Sequence, residues 1–234
     1  MGKEPDMNKT FSAILVASFV LASSVWSLAA ESSEQTAVRE AFAAYKSAAL
    51  KDDGDTAVKQ LSRGTIDWYG DMLKLALYGD ADKVRSQSPF CQIMILRMRS
   101  QIPRDKLQEM AGKDVAVYAI NNGWLNKDTV EKLDVGEISI DGGSATAPMM
   151  SGNAKAGVEH RFVNEAGSWR LDLLHNSKIV DAALSAMAGQ QGMTQEQLVL
   201  VVLASTTGKT PDATIWNPLF PTLEKPADAT EQGK

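Results

Sequence analysis

Apolar residues recur along this chain at two different periods, and the change from one to the other comes near residue 135. Val38, Phe42, Tyr45 and Ala49 are spaced four, three and four residues apart, which marks one face of an amphipathic helix. Ser32, with Gln35 three residues on, supplies a capping box, and Asp52-Asp53-Gly54 stops the helix. A short helix is expected over residues 55–61. Thr65 then caps a third helix, with Ile66, Tyr69, Leu73 and Leu77 on one face and Gly79 at its end. Ser88-Pro89 reads as a cap followed by proline in the first turn. The helix it opens, residues 90–100, is apolar almost all round until Arg97 and Arg99, and such a helix belongs in the middle of a domain. Short helices follow over 104–110, over 115–121 and from about Asn126. Residues 115–120 fit the strand period as well, and helix is preferred.

From Val135 the pattern alternates and is broken by turns. Residues 137–140, 144–150, 155–163 and 168–175 read as four consecutive antiparallel strands, a meander. Val158, His160 and Phe162 share one face of the third strand, opposite Glu159 and Arg161. Trp169, Leu171, Leu173 and His175 share one face of the fourth, so one side of the sheet should pack on helices. Helix returns over 179–188, and Thr194 with Gln197 forms a second capping box before 198–204. Beyond Pro211 a docked loop is expected around Trp216-Asn217-Pro218, followed by a loose tail over 224–234.

The N-terminal pattern changes the picture of where the protein works. Residues 11–22 are twelve apolar or small positions without a charge, preceded by Lys9 and followed by Ser27-Leu28-Ala29. A positive end, a short apolar middle and a small-residue exit predict a cleavable secretory signal over residues 1–29 and an exported protein, periplasmic or extracellular. The run falls short of the ~20 residues that a membrane-spanning helix needs, so no stable membrane anchor is expected after cleavage. Residues 30–223 then form a single domain. A formal net charge of −5 argues against nucleic-acid binding, which needs a concentrated basic face. The single Cys91 excludes an internal disulfide, and its apolar surroundings make it a core thiol. Two histidines fifteen residues apart make no metal site, and no cofactor motif is present.

Helices first and a curved meander afterwards is the order of an α+β cone. In the opening helix Val38-Arg-Glu-Ala-Phe42-Ala-Ala-Tyr45 and the strand pair Glu159-His160-Arg161-Phe162-Val163 and Ser168-Trp169-Arg170-Leu171-Asp172-Leu173, the chain resembles the nuclear-transport-factor-2-like superfamily over residues 33–176. A final strand with Gly-x-Trp is common in its exported bacterial members. The resemblance implies an α+β fold with N-terminal helices packed on a curved antiparallel meander. Residues 65–131 add an extra helical insertion and residues 177–223 a C-terminal helical extension, either of which could fill or cap the mouth of the cone. The family hosts enzymes, binders and assembly modules, so the resemblance leaves function open.

Four residues are candidates to line a pocket: His160, Tyr69, Asp67 and Arg97. His160, on the face expected to line the cone, suits a general base or a donor to a ligand, and equally a core histidine bonded to a neighbouring element. Asp67 and Tyr69, with Asp71 one turn beyond Asp67, offer the carboxylate and phenol that enolising or dehydrating enzymes use, or a solvated helix face and a core ring. Arg97 and Arg99 close an apolar helix and suit a clamp for an anionic ligand, an ion pair with a helix acid such as Asp67 or Asp71, or plain exposure. The reading preferred is a non-enzymatic binding or accessory protein holding a small apolar ligand, an anionic one, or a protein partner. An isomerase or dehydratase working by proton transfer, and a homodimer built through the sheet face, are the alternatives.

Overall fold

The computed structural model describes residues 31–220. The expected signal segment and the tail over 224–234 lie outside the described residues. The architecture is α+β, with helices packed against a curled antiparallel sheet.

Helix α1 (Ser33–Leu50) opens on the expected capping box: Ser32 Oγ accepts from the Gln35 N–H at 3.2 Å, and Gln35 Oε1 accepts from the Ser32 N–H at 2.8 Å. Its buried face is Val38, Phe42, Tyr45 and Ala49, together with Ala41 and Ala48. A one-turn helix α2 (Gly54–Ala57) and a 3-10 turn at Val58–Gln60 lead to α3 (Arg63–Tyr78). Here Ser62, rather than Thr65, is the cap: its Oγ accepts from the Thr65 N–H at 3.1 Å. Thr65 lies inside the first turn, where its buried hydroxyl bonds Ser62 Oγ and accepts from the Leu173 N–H at 3.2 Å.

Helices α4 (Ala81–Arg85), α5 (Pro89–Gln101), α6 (Arg104–Glu109), α7 (Gly112–Asn121) and α8 (Lys127–Lys132) follow and, with α3, make up the insertion. Of these α4 was not expected, and residues 115–120 are helix. Pro89 takes the first position of α5, but Ser88 Oγ makes no capping bond; Asp181 Oδ1, from far along the chain, accepts from the Phe90 N–H at 2.9 Å.

The sheet runs β1 (Leu133–Val135), β2 (Ser139–Asp141), β3 (Ser144–Ser151), β4 (Ala154–Glu165) and β5 (Ser168–Asp172), in the order β1-β3-β4-β5, with β2 also pairing β3. The short β1 was not expected. Between the pairs Pro148↔Glu159 and Met150↔Lys155 the register shifts, because extra residues of β4 bulge out around Gly157 at φ 79°. Such a bulge bends a strand and raises its twist, which fits the curl of the sheet. The last strand stops at Asp172, three residues before His175. Asp172 Oδ1 accepts from the Leu174 N–H at 3.0 Å, and this Asx turn pulls the backbone off the ladder. His175 is therefore an exposed turn residue.

Two apolar cores result. The first joins α1 to the inner sheet face through Phe42, Ala145, Phe162, Trp169 and Leu171. The second lies in the helical insertion and extension, around Leu73, Ile95, Leu96, Met98, Leu203 and Trp216. The extension comprises α9 (Ser177–Gln190) and α10 (Gln195–Thr207), the latter opening on the expected Thr194–Gln197 box. Trp216 docks as expected, 2% exposed, and Cys91 is half-buried at the border of the second core. Tyr69 touches both cores. No helix among the described residues is long and apolar enough to cross a membrane.

Candidate functional site

The two cores do not close completely on each other. Between them is a cavity of about 270 Å³ with contributions from α1, α3, α5, α7, α10 and the turn after β5. Its walls are aromatic and aliphatic because α3 and α5 pack against each other here and bring their rings together. Trp68 lies flat on Phe90, with ring centroids 5.4 Å apart and planes 6° from parallel, and Tyr69 meets Trp68 edge-on at 5.1 Å. Ile93, Met94, Ala119 and Val202 complete much of the apolar surface. Three other hollows, of about 710, 740 and 340 Å³, are larger but are open surface grooves.

Arg97 is the charged residue of the cavity wall, which holds no Asp, Glu, Lys or His. Half-buried on α5, it spreads its guanidinium 4.6 Å from the centroid of the Trp124 ring. Its Nε donates to Gln101 Oε1 and its Nη1 to the Trp124 carbonyl, both at 3.3 Å, the long end of hydrogen bonding. Among the described residues no carboxylate lies within ion-pairing distance. Burial lowers the Arg97 pKa and pushes the Tyr69 phenol up to about 12, so Tyr69 stands beside the guanidinium as a neutral hydroxyl at neutral pH. Trp124 Nε1 is buried with no hydrogen-bond partner. A buried donor left unpaired costs about 1–3 kcal/mol, so this one is notable.

His160 occupies a different hollow. It is buried on the inner sheet face, opposite Ala147 in the ladder, with Phe42 4.6 Å and Phe162 6.3 Å away between ring centroids. The neighbouring space is about 170 Å³ and is bounded by Lys46, Leu133, Met149 and Leu171. Tyr45, Leu125 and Leu173 line both this hollow and the larger cavity, and so divide them. Burial lowers the His160 pKa to about 4, against a hydrogen bond to the Asp134 backbone and the Asp134 charge, and Nε2 is buried without a partner.

Asp67 is on the wrong side of α3. Residues two apart on a helix point about 200° away from each other, so Asp67 cannot share the cavity with Tyr69. It lies in solvent, 3.7 Å from Arg63 across one helical turn, and Asp71 pairs likewise with Lys74 at 3.0 Å. Neither acid reaches an arginine of α5. Arg99 solves its burial in a way that ion-pair reasoning missed. Its guanidinium donates to the carbonyls of Leu75, Ala76 and Gly79 at 2.6–2.9 Å and of Ile215 at 3.0 Å. These include carbonyls left without intrahelical partners at the end of α3, where the helix dipole also favours a cation.

Chemically, the three groups named for proton transfer do not meet: Tyr69 lines one cavity, His160 another, and Asp67 neither. Trp68, Phe90 and Trp124, which form much of the site, drew no attention in the sequence. Among the described residues no group of three or more His, Cys, Asp or Glu is arranged to hold a metal ion. No family model, no curated protein and no solved structure matches this chain. What the arrangement can do is enclose a small apolar body.

Proposed function

We propose that this chain is an exported, non-enzymatic binding protein of the nuclear-transport-factor-2-like type that holds one small apolar ligand in the cavity between its two cores. The observation that carries the reading is the stacked Trp68–Phe90 wall facing aliphatic residues around a space of about 270 Å³. Ligand sites are concave, mostly apolar and about 300–1,000 Å³, so this one falls just below that range and suits a ligand of one ring or a short chain. The helix-first order, the α1 face against the sheet, and the Trp169 strand support the kinship; the run over residues 11–22 supports export. The test is a thermal-shift screen with small aromatic and aliphatic compounds, joined to mass spectrometry of anything that co-purifies. Binding to the folded state raises the melting temperature, and Ala119→Leu, which fills the cavity, should abolish the rise. A flat screen and an empty protein would remove the proposal.

A second reading, docking of a protein partner, is favoured by α9. Ile179, Val180 and Met187 lie on one side of that helix, 39–52% exposed, with Val201 of α10 similarly exposed. Sedimentation across a concentration series checks whether the partner is a second copy.

A further inference from the structure

We infer that the ligand of this cavity is a small monocarboxylate, its apolar body against Trp68 and Phe90 and its carboxylate on the guanidinium of Arg97. The inference rests on the binding reading above and names the chemistry of the ligand. Its first support is charge. Arg97 brings a full positive charge into a wall that holds no acid, and among the described residues no carboxylate lies within 4 Å of it. Arg99, buried more deeply, is matched by four carbonyl acceptors at 2.6–3.0 Å, whereas Arg97 has two neutral acceptors, both at 3.3 Å, which leaves the cost of taking its charge out of water poorly offset. The Trp124 face offsets part of that cost, but a ring quadrupole does not use N–H groups directed elsewhere.

The second support is the donor chemistry of the wall. Trp124 also lines the cavity, and its Nε1–H, which can only donate, is buried with no acceptor. That nitrogen is closed to a water-sized probe, so the donor that meets the ligand is the guanidinium, which calls for a ligand that accepts. A planar carboxylate accepts from a guanidinium through two parallel hydrogen bonds, and its oxygens retain capacity for a further donor. The hydroxyls of Thr65 and Tyr69 in the same wall adapt to either role.

The third is access. Gln101, which bonds Arg97, lines the open polar groove of about 740 Å³, and Thr206 lines both that groove and the cavity. The arginine end of the cavity therefore adjoins water, and Lys209 and Asp212 stand in the same groove. An amphipathic acid entering from there would bury its apolar end first and keep its charge nearest the entrance, with Arg97 beside it. The volume excludes long acyl chains.

Matched pairs that differ in charge and little else provide the test. Dissociation constants of the full chain would be measured by calorimetry at neutral pH for 3-phenylpropanoate against 3-phenylpropanamide, and for hexanoate against hexanamide. The acids should bind at least tenfold more tightly, and the preference should shrink with added salt. Arg97→Gln should erase the preference and Arg97→Lys should keep part of it. If Arg97→Gln fails to fold, the guanidinium Nε–H resonance assigned by Arg97→Lys decides: it should shift with acid and not with amide. Amides binding as tightly as acids would overturn the inference while leaving the apolar-ligand reading intact. An acid preference untouched by both Arg97 variants would also overturn it, and binding of neither class in this or the wider screen would remove both.

Discussion

Gly112 and Gly70 bring α7 and α3 into backbone contact: a Cβ at position 112 would stand 2.5 Å from the Gly70 nitrogen, while a Cβ at position 70 meets nothing nearer than the Gly112 Cα at 3.9 Å. The closeness is one-sided, and the two alanine substitutions should therefore differ in sign. Gly112→Ala pushes on the Gly70 nitrogen and the Ile66 carbonyl, which are backbone and cannot swing away, so about 1–3 kcal/mol of stability should be lost. Gly70→Ala sits inside a helix with room for a methyl, and should be neutral or gain up to about 1 kcal/mol. Urea unfolding of the two variants checks this. Equal effects would show that α3 and α7 do not cross at this pair.

Arg99 supports a second prediction. Its four bonds to carbonyls join the end of α3 to the 3-10 turn at Ala213–Trp216. Burial lowers its pKa to about 10, which still leaves it charged at neutral pH. Hydrogen bonds to charged groups are worth roughly 1.5–3 kcal/mol, and they are not additive here because one side chain makes all four. Arg99→Met should cost at least about 3 kcal/mol, and Arg99→Lys nearly as much, since an ammonium lacks the planar fork that reaches four acceptors. Thermal unfolding would register both. A lysine variant as stable as wild type would show that only the charge matters.

The N-terminus of α5 carries a third. Ser88 occupies the cap position without bonding through its side chain, while Asp181 of α9 supplies the acceptor to Phe90. Asp181→Ala should cost about 1 kcal/mol, the usual value of a cap, and Ser88→Ala should cost a few tenths at most. Phe90 also lines the cavity, so loss of the Asp181 bond should weaken ligand binding as well as stability. Equal stability losses at the two positions would return the capping role to Ser88.

Periodicity made the elements legible because burial writes it into the chain. The faces Val38-Phe42-Tyr45-Ala49 and Val158-His160-Phe162 were readable, since a one-sided element must repeat its apolar residues at its own pitch. The chain also spells its caps with few letters, which is why the two boxes at Ser32 and Thr194 were visible. Tertiary pairing is not written that way. Nothing near Phe90 in sequence points to Asp181, and nothing near Arg99 points to the carbonyl of Ile215. The cavity is harder still, because Trp68, Phe90, Trp124 and Thr206 come from separate elements and each looks like core alone. Asp67 marks the opposite limit: it neighbours Tyr69 in sequence, but helical geometry sets the two on opposite sides.

His160 supports a fourth prediction, on acid stability. An unfolded histidine titrates near 6.5, whereas burial holds His160 at about 4 in the folded protein. Between those values the unfolded chain takes up a proton that the native state refuses. Stability from this group is therefore full above about pH 6.5 and is lost progressively as pH falls through 4. The shift is equivalent to at most about 3.4 kcal/mol, at 1.36 kcal/mol per pKa unit. Carboxylates whose pKa values are lowered, such as Asp53, Asp80 and Asp212, add their own loss at the acid end of the range, so wild type alone does not isolate the histidine. His160→Leu replaces the ring by an apolar group of similar size and should flatten the slope between pH 6.5 and 4 while leaving the more acidic limb in place. Chemical denaturation at half-unit pH steps on both proteins gives the difference directly. Parallel curves would mean that His160 is as free to protonate in the folded chain as in the unfolded one, and that the sheet face behind Phe42 is wet.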